Sequence, residues 1–327
     1  MKREIDYAYA VARVRANELK LLSESDIDQL IAAEDYKATM HRLSDAGWGD
    51  CEGYGETRYA EYLENNFNEA WDLLVEILGE DIHDLDLLLI KNDMQNLKAA
   101  LKGIVSQHGS KDLYAKSTVY DDKKIINSVD ERKFEELPEF MQNPAKEAYD
   151  VLTSTSNGQL ADAIIDKATL EQIELLGKKS GCKVLKTLSE RIVATACIKT
   201  ALRCANTNKT ESFMERSIPE CDSISKKELI AAALSGEDEV LTYLEKTPYS
   251  EGAEEWKKST SAFEKWCDDI LMDCVSDGKF TPFGLDPIVA YYIAKDAEIK
   301  TVRIILSAKI NNLPAELIRE RVRTLYV

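Results

Sequence analysis

Three histidines and many carboxylates are the side chains of this 327-residue sequence that could do metal or acid–base chemistry. His83 stands among carboxylates in the segment DIHDLD (81–86), and an imidazole with carboxylates can share a divalent ion. Such a site needs further His and Asp ligands from other helices, and the sequence offers only His41 and His108 besides. We therefore expect no metal site here. The acidic run instead indicates the first turn of a helix, where negative charge complements the helix dipole.

Catalytic and cofactor motifs are missing from the sequence. GxxxxGK[ST], GxGxxG, GxSxG and HExxH do not occur. Carboxylate pairs such as Glu61 with Glu64 have helical spacing and indicate solvent-facing charge more than a general acid and base. The seven cysteines include no CxxC pair, and Cys197 and Cys204 would lie about 10 Å apart along one helix, too far for a disulfide. We expect reduced cysteines in a cytoplasmic protein, with no cofactor and no catalytic residue.

Basic residues give the sharper hypothesis about function. Seven of them stand at related places in the helices described below, and we predict that they bind a partner: Arg13, Arg15, Lys98, Lys199, Arg203, Lys300 and Arg303. If the helical units surround a pseudo-threefold axis, these charges could converge on its surface or cavity and meet an acidic partner. The alternative is that these side chains extend outward from amphipathic helices into water. The sequence leaves both interpretations open.

The elements that must position these residues are helices. Glycine (14) and proline (7) are scarce, and no stretch of alternating β-branched residues is long enough for a sheet, so we predict an all-α fold. Asp286 and Pro287 predict a helix N-cap and first turn, and Thr169 with Gln172 predicts a capping box. The predicted helices include Asp81–Gln107, Gln159–Lys167, Leu170–Lys179, Lys183–Ala205 and Asp286–Ala308.

An internal period predicts how these helices are organised. The tripeptides LKA (97–99), IKT (198–200) and IKT (299–301) recur at intervals of 101 residues, and a loop and a short helix follow each copy. A fourth match, LKT (185–187), falls off the period. We predict three similar helical lobes, 36–137, 138–245 and 246–327, in a pseudo-threefold arrangement. Residues 1–35 are expected to complete or cap one of them.

Charge is distributed unevenly along the chain. The net charge is −17, which argues against a nucleic-acid-binding surface. Residues 21–90 hold 18 acidic and three basic side chains, whereas residues 300–327 hold six basic and two acidic ones. The asymmetry fits either a solvated acidic face or a charge-complementary docking surface. The longest apolar run is far below the roughly 20 residues of a membrane span, so we expect a soluble chain without a secretory signal.

Three blocks of the sequence resemble one known family. They are GLDPIVAYYIAKDAEIKTVRIILSAKINNLPAELIRERVRTLYV (284–327), YAYAVARVRANELKLL (7–22) and KNDMQNLKAALKG (91–103). They resemble the C subunit of bacterial and archaeal V-type ATPases, whose family includes the eukaryotic d subunit. The resemblance implies a funnel-shaped, three-lobed, non-catalytic protein without a cofactor, a monomer within a hetero-oligomeric complex. It also implies a place at the cytoplasmic face of the membrane, between the rotor-ring proteolipid subunits and the D and F subunits of the central stalk, where ATP turnover is linked to proton or sodium transport.

Two other interpretations remain open from the residues alone. A helical-repeat adaptor of some other complex would explain the period and the missing catalytic motifs equally well. A metal-dependent helical hydrolase would need ligands beyond His83.

Overall fold

The computed structural model describes residues 7–106 and 114–327, and in these residues it contains helices and connections without a β-strand. The all-α prediction is confirmed. In chain order the α-helices are α1 (Ala8–Glu18), α2 (Glu24–Ala32), α3 (Tyr36–Asp45), α4 (Tyr59–Leu78), α5 (Ile90–Ser106), α6 (Asp122–Asp130), α7 (Glu139–Thr155), α8 (Gly158–Lys179), α9 (Lys183–Asn206), α10 (Glu211–Ser217), α11 (Lys226–Ser235), α12 (Glu237–Leu244), α13 (Ser250–Lys258), α14 (Thr260–Val275), α15 (Asp286–Ile310) and α16 (Ala315–Arg319). Short 3-10 helices lie at Gly79–Leu88, Phe134–Glu136 and Ser276–Lys279.

The chain forms two compact units. Unit 1 consists of the described part of Met1–Ile82 together with Glu254–Val327, and unit 2 consists of the described part of His83–Ala253. Unit 1 is therefore discontinuous in sequence and contains both ends of the described chain. The division into lobes 36–137, 138–245 and 246–327, with residues 1–35 as a cap, stays a prediction.

Unit 1 is built around α15. This helix is buried on nearly all sides, as expected for a helix that is apolar all round, and packs on α1, α3, α4 and α14. Tyr292 contacts the rings of Phe67 and Trp71 on α4, with ring centroids 5.3 and 5.7 Å apart. Further along, Val302 and Ile305 join one core with Leu30 and Ile31 of α2. The two sequence segments of unit 1 thus share a single hydrophobic core.

Unit 2 is organised around α8 and α9. Helix α8 packs on α5, α7, α9 and α10, and α9 packs on α11 and α12. Gly177 of α8 lies so close to α9 that a Cβ atom there would sit 1.8 Å from Ser189 Oγ. The apolar members of the first two repeated tripeptides, Leu97 and Ile198, are both fully buried.

Three predicted helix boundaries were wrong. Gln159–Lys167 and Leu170–Lys179 form the single helix α8, in which the Thr169 hydroxyl donates to Ile165 O at 2.8 Å instead of capping a helix start. Asp286 is the first helical residue of α15, and Leu285 occupies the N-cap position. The predicted helix Asp81–Gln107 begins as the 3-10 helix Gly79–Leu88 before α5, and Gln107 lies outside the described residues.

None of the helices in residues 7–106 and 114–327 is long and apolar enough to span a membrane.

Candidate functional site

The two predicted N-terminal arginines lie on α1 in unit 1 and both contact other parts of that unit. Arg13 donates to Tyr9 Oη at 2.7 Å and to Glu76 Oε1 at 3.1 Å. Arg15 pairs with Glu18, and its Nη2 donates to the carbonyls of Gly278 at 2.5 Å and Thr281 at 3.1 Å. Arg15 therefore holds the connection between α14 and α15 against α1.

Two of the repeated lysines, Lys98 and Lys300, contact carboxylates of neighbouring helices. Lys98 of α5 lies 2.7 Å from Asp166 of α8 in unit 2. Lys300 of α15 lies 2.6 Å from Asp268 of α14 and 2.9 Å from Asp296 in unit 1. Lys199 is half-buried on α9. The convergence of these lysines on one surface stays a prediction.

Asp268 is the centre of a partly buried charged cluster in unit 1. Its two carboxylate oxygens accept from Lys300 Nζ at 2.6 Å and from Arg323 Nε at 2.7 Å. Burial disfavours the ionised carboxyl, but the two cations outweigh burial and lower the pKa of Asp268. For Lys300 burial likewise opposes the charge, and Asp296 with Asp268 raises its pKa. The cluster joins α14, α15 and the C-terminal segment.

Arg203 and Arg303 are the exposed members of the predicted set. Arg203, on α9, lines a cleft of about 220 Å³ that also contains the carboxylates Asp162 and Asp166. Arg303, on α15, lines a different pocket, of about 300 Å³, between α15 and α16. Five of the nine residues that line this second pocket are apolar, and Arg321 lines it together with Arg303.

Arg321 is a residue that reasoning from the sequence missed. The basic end of the chain places Arg319, Arg321 and Arg323 at alternate positions, but their surroundings differ. Arg319 pairs with Asp28 and Arg323 with Asp268. Arg321 has no side-chain hydrogen bond or ion pair with residues 7–106 or 114–327. The run of basic residues was the available signal, and it did not indicate which arginine lacks a partner.

The polar residues of the block KNDMQNLKAALKG hold a loop of unit 2. Asn92 Nδ2 donates to Ser117 O at 2.8 Å, and Asn96 exchanges two hydrogen bonds with the Ala115 backbone. The fully buried Asp93 accepts from the backbone N–H groups of residues 119 and 120 at 3.1 and 2.9 Å. Burial raises the pKa of Asp93 to about 6, against the effect of these hydrogen bonds. This block therefore holds the segment before α6 on α5.

The histidine considered for metal binding lies beside a carboxylate. His83 is exposed, and its Nδ1 lies 3.2 Å from Asp86 Oδ1. Elsewhere in the described chain the carboxylates of Glu174, Glu190 and Asp222 approach within 4.8 Å of one another. Lys178 Nζ lies 2.7 Å from Glu174 and 2.9 Å from Asp222, so a cation of the chain itself occupies this group.

Comparison with known proteins finds relatives that match almost the whole length of this chain. The chain is 22% identical to the C subunit of a V-type sodium ATPase from Enterococcus hirae, covering 96% of this chain and 97% of that protein. It is 24% identical to the C subunit of an A-type ATP synthase from Methanocaldococcus jannaschii, covering 96% and 85%. The C subunit of a V-type ATP synthase from Deinococcus radiodurans is 30% identical over 112 residues, which cover 32% of each chain.

A family model describes the same relationship across the sequence. The model of the ATP synthase (C/AC39) subunit matches residues 10–321. This range includes the whole of block 91–103, block 7–22 from residue 10 onward and block 284–327 up to residue 321. The match extends through both compact units. The chain therefore belongs to the ATP synthase (C/AC39) subunit family.

Proposed function

We propose that this chain is a non-catalytic adapter in a rotary ATPase or ATP synthase. In this role it joins the D and F subunits of the central stalk to the proteolipid rotor ring at the cytoplasmic face of the membrane. It passes rotation between the ATP-converting head and the ring that moves protons or sodium ions. The observation that carries the proposal is the match to the ATP synthase (C/AC39) subunit family over residues 10–321.

The packing inside each unit supports a mechanical role. A part that transmits torque must resist deformation, and buried charge-assisted hydrogen bonds fix the elements that they join. In unit 1 the buried Glu298 accepts from the backbone N–H of Leu22 at 2.6 Å and pairs with Lys295 at 2.6 Å. The Lys295 ammonium also lies 4.3 Å from the centroid of a Trp48 ring. These contacts attach the Leu22 backbone and the Trp48 side chain to α15.

One alternative from the sequence is an adaptor of another complex. Both interpretations predict a helical protein that binds other proteins, and they differ in the partners. The family match favours a rotary ATPase complex, and the identity of the bound proteins decides between the two interpretations.

A pull-down from detergent-solubilised membranes tests the proposal. With the full chain as bait at low salt, we expect recovery of the rotor-ring proteolipid and of the D and F stalk proteins. An unrelated helical protein of similar net charge serves as the control for non-specific binding. Reproducible absence of the ring and stalk proteins, or recovery of a different complex, would refute the adapter role.

The predicted binding by repeated lysines has a separate test. Lys300 is unsuitable because reversing its charge would place it against Asp268 and Asp296. In unit 2, Lys98→Gln with Lys199→Gln removes both charges without setting a new carboxylate against Asp166, and it should weaken recovery of the complex severalfold at low salt if these residues face an acidic partner. Unchanged recovery by a variant with wild-type thermal stability would show that they serve only their own unit.

A further inference from the structure

The pocket between α15 and α16 is lined by both apolar and cationic side chains. Its apolar lining residues are Ile304 and Ala308 of α15 with Leu313, Leu317 and Ile318, and its volume is about 300 Å³. The remaining lining residues are polar or basic, namely Tyr59, Arg303, Ser307 and Arg321. None of the described lining residues is Asp or Glu. This volume is at the small end of the range for protein ligand pockets, so it suits one or two inserted side chains.

The two arginines of this pocket are available for an external anion. Within residues 7–106 and 114–327, neither the Arg303 nor the Arg321 side chain forms a hydrogen bond or ion pair, and both residues are exposed. Other basic groups nearby in sequence are used internally, since Lys300 and Arg323 bind Asp268 and Arg319 binds Asp28. In a chain of net charge −17, two such arginines beside one apolar pocket form a local site for negative charge.

The chemistry of the pocket defines its ligand. Guanidinium groups bind carboxylates through paired N–H donors, and the apolar lining residues are suited to an aliphatic or aromatic side chain. A carboxylate that reaches Arg303 and Arg321 while a neighbouring apolar side chain enters the pocket would satisfy both parts. Interfaces are commonly held by an apolar anchor in a pocket with charge pairs around it.

We propose that this pocket, lined by Arg303, Arg321 and the apolar side chains between them, is the docking site for an acidic, apolar segment of the D–F stalk. The choice of the stalk rests on the proposed function. The pocket, of about 300 Å³, lies within unit 1 and has room for one or two side chains, which fits a partner that contributes one segment.

The experiment measures binding of the full chain to purified D–F heterodimer by biolayer interferometry at low and at physiological salt. The double variant R303E/R321E should bind about thirtyfold more weakly or worse, because both charge pairs become repulsive. The matched control K37E/R42E makes the same change in net charge at two exposed positions of α3 in the same unit, and it should remain within about threefold of wild type. Affinity of the wild type should fall as salt rises, and R303E/R321E should lose most of that dependence.

Two further variants separate the parts of the pocket. Leu317→Ala shortens an apolar side chain that is 38% exposed and should weaken binding by about threefold to tenfold without changing charge. R303K/R321K keeps the charge but loses the paired donors, so its affinity should lie between wild type and R303E/R321E. Circular dichroism and thermal unfolding of each variant establish that the fold is retained.

The outcomes distinguish this inference from the proposed function. If wild type binds D–F and R303E/R321E binds within threefold of it, the pocket assignment is wrong and the adapter role is untouched. If K37E/R42E loses as much affinity as R303E/R321E, only overall charge matters and the pocket assignment is again wrong. If wild type fails to bind D–F, the stalk-binding part of the proposed function fails together with the pocket.

Discussion

Asp268 neutralises two cations from different elements of unit 1, with Lys300 Nζ at 2.6 Å and Arg323 Nε at 2.7 Å. Its side chain is 16% exposed, so water screens this cluster far less than an ordinary surface pair. Removing the carboxylate would leave Arg323 without its counter-ion and Lys300 with Asp296 alone. We therefore expect loss of this carboxylate to lower the free energy of unfolding more than loss of an exposed carboxylate would.

We expect Asp268→Asn to lower the free energy of unfolding by about 2 kcal/mol, because a partly buried cluster loses the carboxylate that both cations share. Asp166→Asn is the matched control. It breaks the Lys98 pair at a carboxylate that is 57% exposed, and it should cost less than about 1 kcal/mol. Urea unfolding followed by circular dichroism measures both. Equal losses in the two variants would contradict the assigned difference in burial.

The lowered pKa of Asp268 also fixes the sign of its pH dependence. A carboxyl with a lower pKa in the folded state adds stability above its unfolded pKa of about 3.9, and that stability is lost as pH falls through the folded pKa. The difference in unfolding free energy between wild type and Asp268→Asn should therefore be constant near neutral pH and shrink below about pH 4.

Asp93 should show the opposite dependence. Burial raises its pKa to about 6, so the folded state holds the proton more tightly than the unfolded state does. Stability from this group is full below about pH 4 and is lost as pH rises through about 6. Relative to Asp93→Asn, the unfolding free energy of wild type should fall by about 2 kcal/mol between pH 4 and pH 7. A constant difference across this range would show that the hydrogen bonds from residues 119 and 120 offset burial.

Only part of the candidate site could be predicted from the sequence. Basic residues at repeated positions were visible, but Lys98 pairs with a carboxylate 68 residues away and Lys300 with one 32 residues earlier. No local spacing rule connects such pairs. Whether a given arginine is neutralised, as Arg323 is, or remains exposed, as Arg303 is, depends on tertiary packing.

Helix α8 shows the same limit at the scale of elements. The apolar spacing of its two halves predicted helix correctly, because that spacing depends only on which face is buried. Thr169 followed three residues later by Gln172 has the pattern of a capping box, yet a threonine inside a helix can donate to a carbonyl of the preceding turn. The close packing of α7 and α9 on α8 favours the continuous helix, and that packing has no signature in the local sequence.

Gly177 provides a test of the α8–α9 contact. An added Cβ would lie 1.8 Å from Ser189 Oγ and 2.4 Å from Ser189 Cβ, so Gly177→Ala should cost about 2 kcal/mol even though alanine is the better helix former. Gly158→Ala, at the start of the same helix with no atom within 4 Å, should be neutral or slightly stabilising. Thermal and urea unfolding compare the two.

The double variant G177A/S189G makes the test specific. Removing the Ser189 side chain makes room for the new methyl group, so the combined loss should be smaller than the sum of the two single losses. Additive losses would mean that the two positions act independently and that the close approach is not what constrains Gly177.

At the scale of the whole molecule, the two compact units and the 101-residue period divide the chain at different residues. The period predicts a lobe over 138–245. The structure places α5 and α6 in the same unit as that segment, with α5 packed on α7 and α8. Two ion pairs join α5 to α8, Lys98 with Asp166 and Lys102 with Asp162. Removing the residues before 138 would expose to water the faces of α7 and α8 that pack on α5.

Fragments of the chain therefore test which of the two divisions gives segments that fold independently. We expect residues 83–253 to fold cooperatively on their own, because the fragment retains all of unit 2. Residues 138–245 should unfold at a much lower denaturant concentration or not fold at all. Residues 1–82 should remain largely unfolded alone, since Leu30 and Ile31 pack in a core with Val302 and Ile305 from the other segment of unit 1.

Circular dichroism, urea unfolding and amide hydrogen exchange of the purified fragments measure these outcomes. Adding residues 254–327 to residues 1–82 should restore helicity and protection, because unit 1 needs both segments for one core. The control is the same addition with Ile305→Asp, which puts a charge at a fully buried core position and should prevent assembly. Independent folding of 138–245 with the stability of 83–253 would favour the three-lobe division, since it would mean that α5 and α6 contribute little to the core they contact.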